Sequence, residues 1–310
     1  MSDPVVAISG LVKQFASGTV ALNGLDLVLQ QGELFGVVGP DGAGKTTLLR
    51  ILAGVLGYDH GEVQVFGRPV NGKRGGQAVG YIPQRFSLYT DLTVGENLRF
   101  FAGVYPRPKE GRRSVEDLLE FIGLAPFRDR LAGALSGGMK QKLALLCSLV
   151  PGPDLLLMDE PTVGVDPVSR REFWSIVFDL QKEGVTILAS TPYMDEAEQF
   201  DRVALLNEGR FLQVGTTAQI KESVPGVMIE VHCDKPLQAR QLLRAQPEIA
   251  EVELFGDRVH VYQATLEKST LEQLRSLLSE HGIATNELRV SPFSIEDVFL
   301  KIARQSEGVA

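Results

Sequence analysis

Short apolar runs and longer segments with helical spacing follow one another along most of the chain. The apolar runs, which predict strands, are residues 5–8, 21–29, 33–38, 78–82, 155–158, 186–189 and 203–206. The segments that predict helices are residues 46–56, 94–104, 115–122, 138–149 and 169–182. Buried strands that alternate with amphipathic helices predict an α/β fold with a parallel sheet.

A different order of elements follows residues 215–225. Strands are predicted at 227–233, 249–255, 259–263 and 286–290, and helices at 237–245, 266–280 and 294–304. Gly256 and Asp257 lie between two alternating runs, as in a β-hairpin. The order strand, helix, strand, strand, helix, strand predicts a small ferredoxin-like α+β domain that is followed by a last helix. We therefore predict two domains, residues 5–222 and 226–310.

Composition and charge restrict the classes of function. Of the 310 residues, 44% are hydrophobic and 23% are charged, with a formal net charge of −8. This balance supports a buried core and argues against broad binding to nucleic-acid phosphates. Cys147 and Cys233 lack metal-ligand spacing, which favours a reducing, cytosolic compartment. The sequence shows no signal peptide and no apolar run near the roughly 18 residues of a membrane span, so a membrane role would need a partner.

The most specific motif is a glycine-rich turn between a predicted strand and a predicted helix, which fits the pattern G-x-x-x-x-G-K-[ST]. Its residues are Gly39, Pro40, Asp41, Gly42, Ala43, Gly44, Lys45, Thr46 and Thr47. Backbone N–H groups of such a turn surround phosphate oxygens, and the helix N-terminus adds positive partial charge. Lys45 would reach the β- and γ-phosphates of a bound nucleotide, and the Thr46 hydroxyl would ligate Mg²⁺.

A second motif is the apolar run 155–158, which is followed directly by Asp159 and Glu160. A buried strand of a parallel sheet presents such residues at its carboxyl end, where α/β proteins bind ligands. Asp159 would belong to the Mg²⁺ shell, and Glu160 would be the catalytic base that polarises the attacking water. Apolar strands that end in two acidic residues are common, but the phosphate loop upstream gives this pair its chemical role.

The segment Leu135-Ser-Gly-Gly-Met-Lys-Gln-Lys142 lies between these two motifs. It resembles the signature sequence of ATP-binding-cassette (ABC) proteins, with Met139 in place of the usual glutamine. The resemblance implies a P-loop NTPase cassette with a RecA-like core, a helical signature subdomain and an antiparallel β segment. It also implies that Ser136, Gly137 and Gly138 contact the γ-phosphate held by a second cassette, so that two cassettes pair head to tail. Ser136 equally suits an ordinary helix N-cap.

Three further features stand in the order of the ABC family. Gly80-Tyr-Ile-Pro-Gln84 resembles the Q-loop, which implies that Gln84 senses Mg²⁺ and the attacking water. The stretch from there to Glu96 would contact a membrane subunit. Phe15 stands where an aromatic side chain stacks on adenine in the family, although it could instead belong to the core. The segment 161–166 resembles the D-loop, which implies that Asp166 reaches across the pair of cassettes.

The chain departs from the family at one position. The resemblance covers residues 5–222 and implies a switch histidine that holds the γ-phosphate, but Pro192 occupies its place. Proline offers neither a side-chain donor nor a backbone N–H, and His60 is predicted to lie on the surface, in the turn after the phosphate-loop helix. Losing the donor would cost about 1.5–3 kcal/mol, which corresponds to roughly ten- to a hundredfold in rate. Either the chain pairs with a different, fully equipped cassette and its own site is weak, or a homodimer works with Glu160 alone.

The last segment, Ser291-Pro-Phe-Ser-Ile-Glu-Asp-Val-Phe-Leu300, resembles the closing sequence of daunorubicin-resistance-like exporter ATPases. Such subunits work with ABC-2-type membrane permeases, which implies permease partners and a peripheral position on the cytoplasmic face of the cell membrane. The segment also fits an ordinary helix with Ser294 as its N-cap. The implied cofactors are ATP and Mg²⁺, and the implied function is ATP hydrolysis that drives export.

Two other functions share the cassette motifs. An ABC protein that acts on ribosomes or DNA would typically carry two cassettes or a long coiled coil, together with a basic surface, and the sequence shows none of these features. A regulatory subunit that holds ATP without hydrolysing it fits Pro192, whereas Lys45, Asp159 and Glu160 favour hydrolysis. The sequence therefore predicts an ATPase and no nucleic-acid partner.

Overall fold

The computed structural model describes residues 3–70, 79–85, 88–104, 114–249, 251–265 and 270–307. The chain folds into two compact units that divide between Thr217 and Ala218. The strands are β1 (Val6–Gln14), β2 (Val20–Leu29), β3 (Leu34–Val38), β4 (His60–Val65), β5 (Arg68–Pro69), β6 (Val79–Ile82), β7 (Leu155–Asp159), β8 (Thr186–Thr191), β9 (Arg202–Asn207), β10 (Arg210–Gly215), β11 (Val227–Cys233), β12 (Glu251–Phe255), β13 (Arg258–Gln263) and β14 (Thr285–Ser291). The helices are α1 (Lys45–Leu52), α2 (Val94–Val104), α3 (Val115–Ile122), α4 (Gly137–Leu149), α5 (Pro167–Lys182), α6 (Met194–Ala197), α7 (Thr217–Glu222), α8 (Pro236–Arg244), α9 (Thr270–Glu280) and α10 (Ile295–Glu307).

The first unit is built on a six-stranded sheet of order β10-β9-β3-β8-β7-β6. The strands from β9 to β6 run parallel, and the edge strand β10 runs antiparallel to β9. β3, β7 and β8 are buried along their whole length, as expected for parallel strands that are covered on both faces. In register, Val38 pairs with Thr191, and Asp159 pairs with Ser190. The carboxyl ends of these three strands therefore meet at one edge of the sheet.

A second sheet in this unit, of order β2-β1-β4-β5, is antiparallel. Helix α1 joins the two sheets in one hydrophobic core, in which its side chains Leu48 and Ile51 are fully buried together with Ile8 of β1 and Phe35 of β3. The mixed α/β architecture, with a parallel core sheet and a separate antiparallel segment, confirms the predicted fold class. The packing of α1 between the two sheets also fixes the start of this helix, and thus the phosphate loop, beside the strand ends.

Helix α1 begins where two glycines allow the backbone to approach its neighbours closely. Gly44, the N-cap residue, has φ of 111°, and a Cβ there would lie 2.5 Å from the carbonyl oxygen of Ala21. A Cβ at Gly39 would lie 2.0 Å from the carbonyl oxygen of Leu206. Both positions therefore require glycine, one for its left-handed conformation and both for the close contact.

The predicted helix 46–56 is too long, because α1 ends at Leu52. The chain reverses at Gly54, which has φ of 69° and thus ends the helix in the way glycine commonly does. Strand β4 was not predicted, because its first residues are polar and do not stand out in the hydrophobic pattern. Strands β5 and β10 were not predicted either. His60 is exposed as expected, but it is the first residue of β4 and does not lie in a turn.

Some predicted elements fall partly outside the described residues. These are the first residue of the strand 78–82, one residue of the strand 249–255 and the first four residues of the helix 266–280. The described parts of these elements have the predicted type of secondary structure, and they form β6, β12 and α9. Most other boundaries shift by one to three residues, and β1 continues to Gln14, well past residue 8.

The second unit has the element order β11-α8-β12-β13-α9-β14, which is the predicted ferredoxin-like βαββαβ order. Its antiparallel sheet has the strand order β12-β13-β11-β14. One face of this sheet packs on α8 and α9 through a buried core. The residues of this core include Ile229, Val231, Ala239, Leu243, Val259, Val261, Leu274 and Leu278.

Helix α10 is anchored to β13 by one buried carboxylate. Side chains alternate along a strand, so His260 and Tyr262 lie on the face opposite to Val259 and Val261. Asp297 Oδ1 lies 2.8 Å from His260 Nδ1 and accepts a hydrogen bond of 2.5 Å from the Tyr262 hydroxyl. Asp297 Oδ2 accepts from Ser294 N at 2.7 Å and from Ser294 Oγ at 2.6 Å. Burial alone would raise the pKa of Asp297, but the hydrogen bonds from His260, Ser294 and Tyr262 outweigh it and lower the pKa.

Replacing Asp297 by alanine is expected to lower the free energy of unfolding of the second unit by about 2–4 kcal/mol, because several buried donors lose their acceptor. Since the folded pKa of Asp297 lies below the unfolded value, its contribution is complete above about pH 4 and is lost as the pH falls through the folded pKa. Urea unfolding followed by circular dichroism measures the difference at each pH.

The matched control is Glu296→Ala, which removes the exposed neighbouring carboxylate from the same helical turn. It is expected to cost about 0.5 kcal/mol. Equal losses in the two variants would contradict an anchoring role for Asp297.

Candidate functional site

Lys45 is the point where the phosphate loop meets the acidic end of β7. Its Nζ lies 3.0 Å from Glu160 Oε1 and donates to the carbonyl oxygens of Gly39 at 2.7 Å and Pro40 at 2.9 Å. The side chains of Lys45 and Glu160 are only 3% and 5% exposed. A buried ion pair is tolerated when hydrogen bonds satisfy its remaining polar groups, and the two loop carbonyls do this for the ammonium group.

Asp159 is fully buried next to this ion pair. Its Oδ1 accepts hydrogen bonds from Thr46 Oγ1 at 3.0 Å and from Ser190 Oγ at 2.9 Å. Burial raises the pKa of Asp159, and the hydrogen bonds from Ser190 and Thr46 offset part of this effect. Its Oδ2 has no hydrogen-bond partner within the described part of the chain. A buried, unpaired carboxylate oxygen costs free energy, and a bound cation would relieve that cost.

Glu160 is held from both sides in an uncommon backbone conformation. Gln84 Nε2 donates to its Oε2 at 2.9 Å, while Lys45 contacts the other oxygen. Its φ of 49° lies in the left-handed region, which costs a non-glycine residue about 1–3 kcal/mol. The backbone N–H of Glu160 lies 3.1 Å from both the carbonyl and the hydroxyl oxygen of Ser190. These contacts hold the strained residue in place, with its carboxylate beside the phosphate loop.

The polar side chains of the site include oxygen ligands that suit Mg²⁺. The Thr46 hydroxyl, Asp159 Oδ2 and the side-chain carbonyl of Gln84 are the hard oxygen ligands that this ion prefers. Over the residues that the structure describes, no group of three or more His, Cys, Asp or Glu could hold a metal ion. Mg²⁺ is commonly bound through one or two carboxylates together with substrate phosphates. The residues present therefore fit an ion that binds together with a nucleotide.

The signature residues form the start of α4. Ser136 is the N-cap, and its Oγ accepts from Met139 N at 3.3 Å. A Cβ at Gly138 would lie 2.4 Å from Ser169 Cβ of α5, whereas a Cβ at Gly137 would meet open space. Gly138 thus serves the packing of α4 on α5, and Gly137 is free of intramolecular crowding.

Asp166 of the D-loop caps a helix in the same way. Its Oδ1 accepts from Ser169 N at 3.0 Å and from Val168 N at 3.1 Å, at the start of α5. The hydrogen bond from the backbone of Ser169 is the main cause of its lowered pKa. Asp166 is therefore fixed within its own chain as an N-cap. Its predicted contact across a pair of cassettes stays a prediction.

Phe15 and Pro192 are two further residues that the sequence analysis singled out. Phe15 lies in the turn after β1 with 40% of its surface exposed, and the Lys13 ammonium lies 5.7 Å from its ring centroid. It is therefore not a core residue, and its role as an adenine platform stays a prediction. Pro192 is half-buried and directly follows Thr191, the last residue of β8.

Four polar residues that the sequence analysis did not single out lie buried around the site. They are Thr162, Ser190, Thr191 and Glu196. Ser190 contacts both Asp159 and the backbone of Glu160, because β8 lies beside β7 in register. Small polar residues at the end of a predicted buried strand could have revealed Ser190, since parallel strand ends share one edge of a sheet.

The Tyr81 hydroxyl on the neighbouring strand β6 is buried without a hydrogen-bond partner among the described residues, as Asp159 Oδ2 is. Burial raises the pKa of Tyr81, and the nearby charge of Asp159 raises it further. Tyr81 therefore stays neutral beside the acidic edge of the sheet.

The phosphate loop between β3 and α1 defines a P-loop nucleotide-binding domain. The family model for the ABC transporter domain matches residues 22–163. The chain is 50% identical over 230 residues to the "Probable multidrug ABC transporter ATP-binding protein YbhF" of Escherichia coli K12, which corresponds to 73% of this chain and 40% of that protein. The chain thus spans about two fifths of that relative's length. It is 36% identical over 307 residues to the Nod factor export ATP-binding protein I of Rhizobium sp. N33, which corresponds to 97% of this chain and 98% of that protein.

Solved structures of ATP-binding cassettes share the fold. A nucleotide-free cassette from an ABC transporter aligns with a TM-score of 0.64 at 24% identity, over 72% of this chain and 96% of that one. The protein cbiO1 of Clostridium perfringens aligns with a TM-score of 0.62 at 28% identity, over 71% of this chain and 91% of that one. The chain belongs to the ABC transporter ATP-binding family of ATPases.

Replacing Asp159 by asparagine is expected to raise the melting temperature without nucleotide by about 2–4 °C. The folded pKa of Asp159 is raised, so at neutral pH its ionised form destabilises the folded chain, and asparagine removes that charge. The same variant should lose the dependence of ATP binding on Mg²⁺. Differential scanning calorimetry and ATP titrations with and without Mg²⁺ measure the two effects.

The control is Asp179→Asn, which removes an exposed carboxylate on α5 and should leave both quantities unchanged. A melting temperature below that of the wild type for Asp159→Asn would contradict the cost assigned to the buried charge.

Proposed function

We propose that the chain binds and hydrolyses ATP and that this reaction energises export through an ABC-2-type membrane permease. The observation that carries the proposal is the arrangement at the carboxyl edge of the parallel sheet, where Lys45, Asp159 and Glu160 are buried and Gln84 donates a hydrogen bond to Glu160. Those groups supply the cation, the metal ligand and the base that phosphoryl transfer to water requires.

Each residue has a distinct role in the proposed reaction. The N–H groups of the phosphate loop and the Lys45 ammonium bind the β- and γ-phosphates. Thr46, Asp159 and Gln84 hold Mg²⁺, which neutralises charge on the phosphates when it is bound. Glu160 accepts a hydrogen bond from the attacking water through the carboxylate that Gln84 and Lys45 orient. A base positioned in this way contributes about 10²–10⁴-fold to a rate.

A second cassette completes the site in this proposal. Ser136 and Gly137 at the N-terminus of α4 present backbone N–H groups and positive partial charge, which suit a γ-phosphate bound by the partner. Gly137 has the open space that such a contact needs. A related cassette, 25% identical with a TM-score of 0.61, was solved as a dimer bound to ADP and Pi. The partner is either a second copy of this chain or a different cassette.

Export is supported by what the similar proteins are named for and by the last segment of the chain. The relatives are named for multidrug transport and for Nod factor export. Residues 291–300, which resemble the daunorubicin-resistance-like group, lie at the end of β14 and the start of α10. Their carboxylate Asp297 anchors α10 to the sheet, so part of this resemblance has a structural cause.

The proposed location is the cytoplasmic face of the cell membrane, where the chain would dock on permease subunits. None of the helices in the described ranges combines the length and the apolar composition that crossing a bilayer requires. Docking would use the stretch between Gln84 and Glu96, of which residues 86 and 87 lie outside the described residues. The functional domains would be residues 5–222 and 226–310.

Pro192 favours one further possibility, in which this site mainly holds ATP while a partner cassette hydrolyses. The backbone after β8 has no N–H at position 192, and the proline ring donates no hydrogen bond. Lys45 nevertheless forms an ion pair with Glu160, and Asp159 accepts a hydrogen bond from Thr46, so the groups that phosphoryl transfer uses are present. We therefore propose that this site hydrolyses ATP slowly and does not merely hold it.

Replacing Pro192 by histidine is expected to raise kcat for ATP hydrolysis about ten- to a hundredfold, because the histidine restores a charge-assisted donor to the γ-phosphate. Pro192→Ala is the matched control, since it removes the ring and restores the backbone N–H, as histidine does, but adds no side-chain donor, and it should leave kcat unchanged. Steady-state phosphate release by the purified chain measures both. An unchanged rate with histidine would mean that the missing donor does not limit the reaction.

Replacing Gly137 by alanine is expected to leave the monomer at least as stable, because its Cβ meets open space and alanine favours a helix. The same change should weaken ATP-dependent pairing in a Glu160→Gln background, where slow hydrolysis lets the pair accumulate. Gly138→Ala should instead destabilise the monomer, because its Cβ collides with Ser169. Melting curves and size-exclusion chromatography with MgATP separate the two effects. Pairing that is unaffected by Gly137→Ala would contradict a contact in trans.

A further inference from the structure

A buried carboxylate outside the phosphate site joins two loops that border it. Glu196 of the short helix α6 is 2% exposed. Its Oε1 accepts a hydrogen bond from Thr162 Oγ1 and its Oε2 accepts one from Thr191 Oγ1, each at 2.6 Å. Both threonines are buried, with 1% and 0% of their surface exposed. We call these three residues the Glu196 bridge.

The two threonines lie at or just beyond the carboxyl ends of the adjacent strands β7 and β8, which carry residues of the site. Thr162 lies two residues after Glu160, in the D-loop that ends at the α5 N-cap Asp166. Thr191 follows Ser190, which contacts Asp159, and precedes Pro192. The Thr191 hydroxyl also accepts a hydrogen bond of 3.0 Å from Tyr193 N. The bridge therefore sets the path of the chain around Pro192 relative to the D-loop.

Arg170 on α5 adds a second link to the same segment. Its Nε lies 3.8 Å from Glu196 Oε1, and its Nη2 donates to Asp195 Oδ2 at 3.3 Å. Its guanidinium group lies 4.7 Å from the ring centroid of Tyr193. The helix that Asp166 caps is thus connected to residues that follow Pro192, and Arg170 places a positive charge beside the buried carboxylate.

Stability alone does not account for this arrangement. A buried ionic group is often no more stabilising than apolar residues of the same volume, although its separate parts are costly to remove. Short hydrogen bonds to a carboxylate do fix the relative position of the groups that they join. Each threonine carries one hydroxyl donor, and Glu196 uses one oxygen for each of them. The geometry is that of a link between the D-loop and the end of β8.

From this geometry we infer that Glu196 is a positioning residue, which couples the position of the D-loop to that of residues 190–193. The inference rests on the proposed ATP hydrolysis. Movement of the D-loop on nucleotide binding is carried through Thr162 and Glu196 to Thr191, and so to Ser190 and Asp159. With Pro192 lacking a donor, this bridge is the route by which the segment after β8 responds to the nucleotide.

The test uses Thr162→Val, Thr191→Val and the double variant, because valine keeps the shape of threonine and removes the hydroxyl. Each single variant is expected to lower kcat about tenfold while KM for ATP changes less than twofold. The double variant should be no slower than the worse single one, since either change breaks the same link. Glu33→Gln is the matched control. It alters a largely buried carboxylate that contacts Arg202 at the opposite end of β3, and it should leave kcat unchanged.

Hydrogen exchange with and without MgATP gives a second readout that needs no turnover. In the wild type, ATP should slow exchange in residues 190–200 and in the D-loop together, whereas the valine variants should keep the effect in the phosphate loop and lose it in residues 190–200. Two outcomes would overturn the inference. One is a kcat in the double variant that is lowered by the product of the two single effects. The other is ATP-dependent protection of residues 190–200 that persists in the variants. A wild type without any ATP hydrolysis would count against the proposed function, and the exchange result would still decide the role of Glu196.

Discussion

The Lys45 ammonium and the Glu160 carboxylate are 3.0 Å apart and almost completely buried. Lys45 opens α1 and Glu160 follows β7, so this one ion pair joins the helix that carries the phosphate loop to the strand that carries the acidic residues. Separating such a pair by removing one partner typically costs about 3–5 kcal/mol. This contact therefore adds to the core packing of α1 in holding the phosphate loop at the sheet edge.

The residues around the ion pair are arranged to support it. Gln84 takes the second oxygen of Glu160, and Ser190 holds both the backbone of Glu160 and the carboxylate of Asp159. Glu160 accepts a left-handed backbone, and Asp159 keeps an oxygen without a partner among the described residues. Both features cost stability, and both place oxygen atoms beside the loop where phosphates and Mg²⁺ would bind. The site is thus built at the expense of local stability, as functional sites often are.

Sequence patterns predicted the parts of the molecule that depend on local chemistry. The turn from Gly39 to Thr47 and the pair Asp159 and Glu160 could be found because each motif is continuous and follows a buried strand. The ferredoxin-like order of the second unit followed from the alternation of strands and helices. The end of α1 was predicted too late, because leucine spacing continues past Leu52 while Gly54 reverses the backbone.

What the sequence did not reveal depends on contacts between distant segments. Ser190 joins the site only because β8 pairs with β7 in a register that places it beside Asp159. Glu196 is close to Thr162 only after α6 has folded back on the D-loop. Strand β4 was missed because it starts with polar residues at His60, and its partner β1 lies far away in sequence. Register across a sheet is a tertiary property, and no short pattern encodes it.

The most direct measurement is the affinity of ADP with Mg²⁺ for the wild type and for Glu160→Gln, by isothermal titration calorimetry. If the phosphates and Glu160 share the single ammonium of Lys45, then neutralising Glu160 should release Lys45 for the β-phosphate. Binding should then become about tenfold tighter, which corresponds to roughly 1.4 kcal/mol. An affinity that is unchanged or weaker in Glu160→Gln would contradict the shared role of Lys45 at this site.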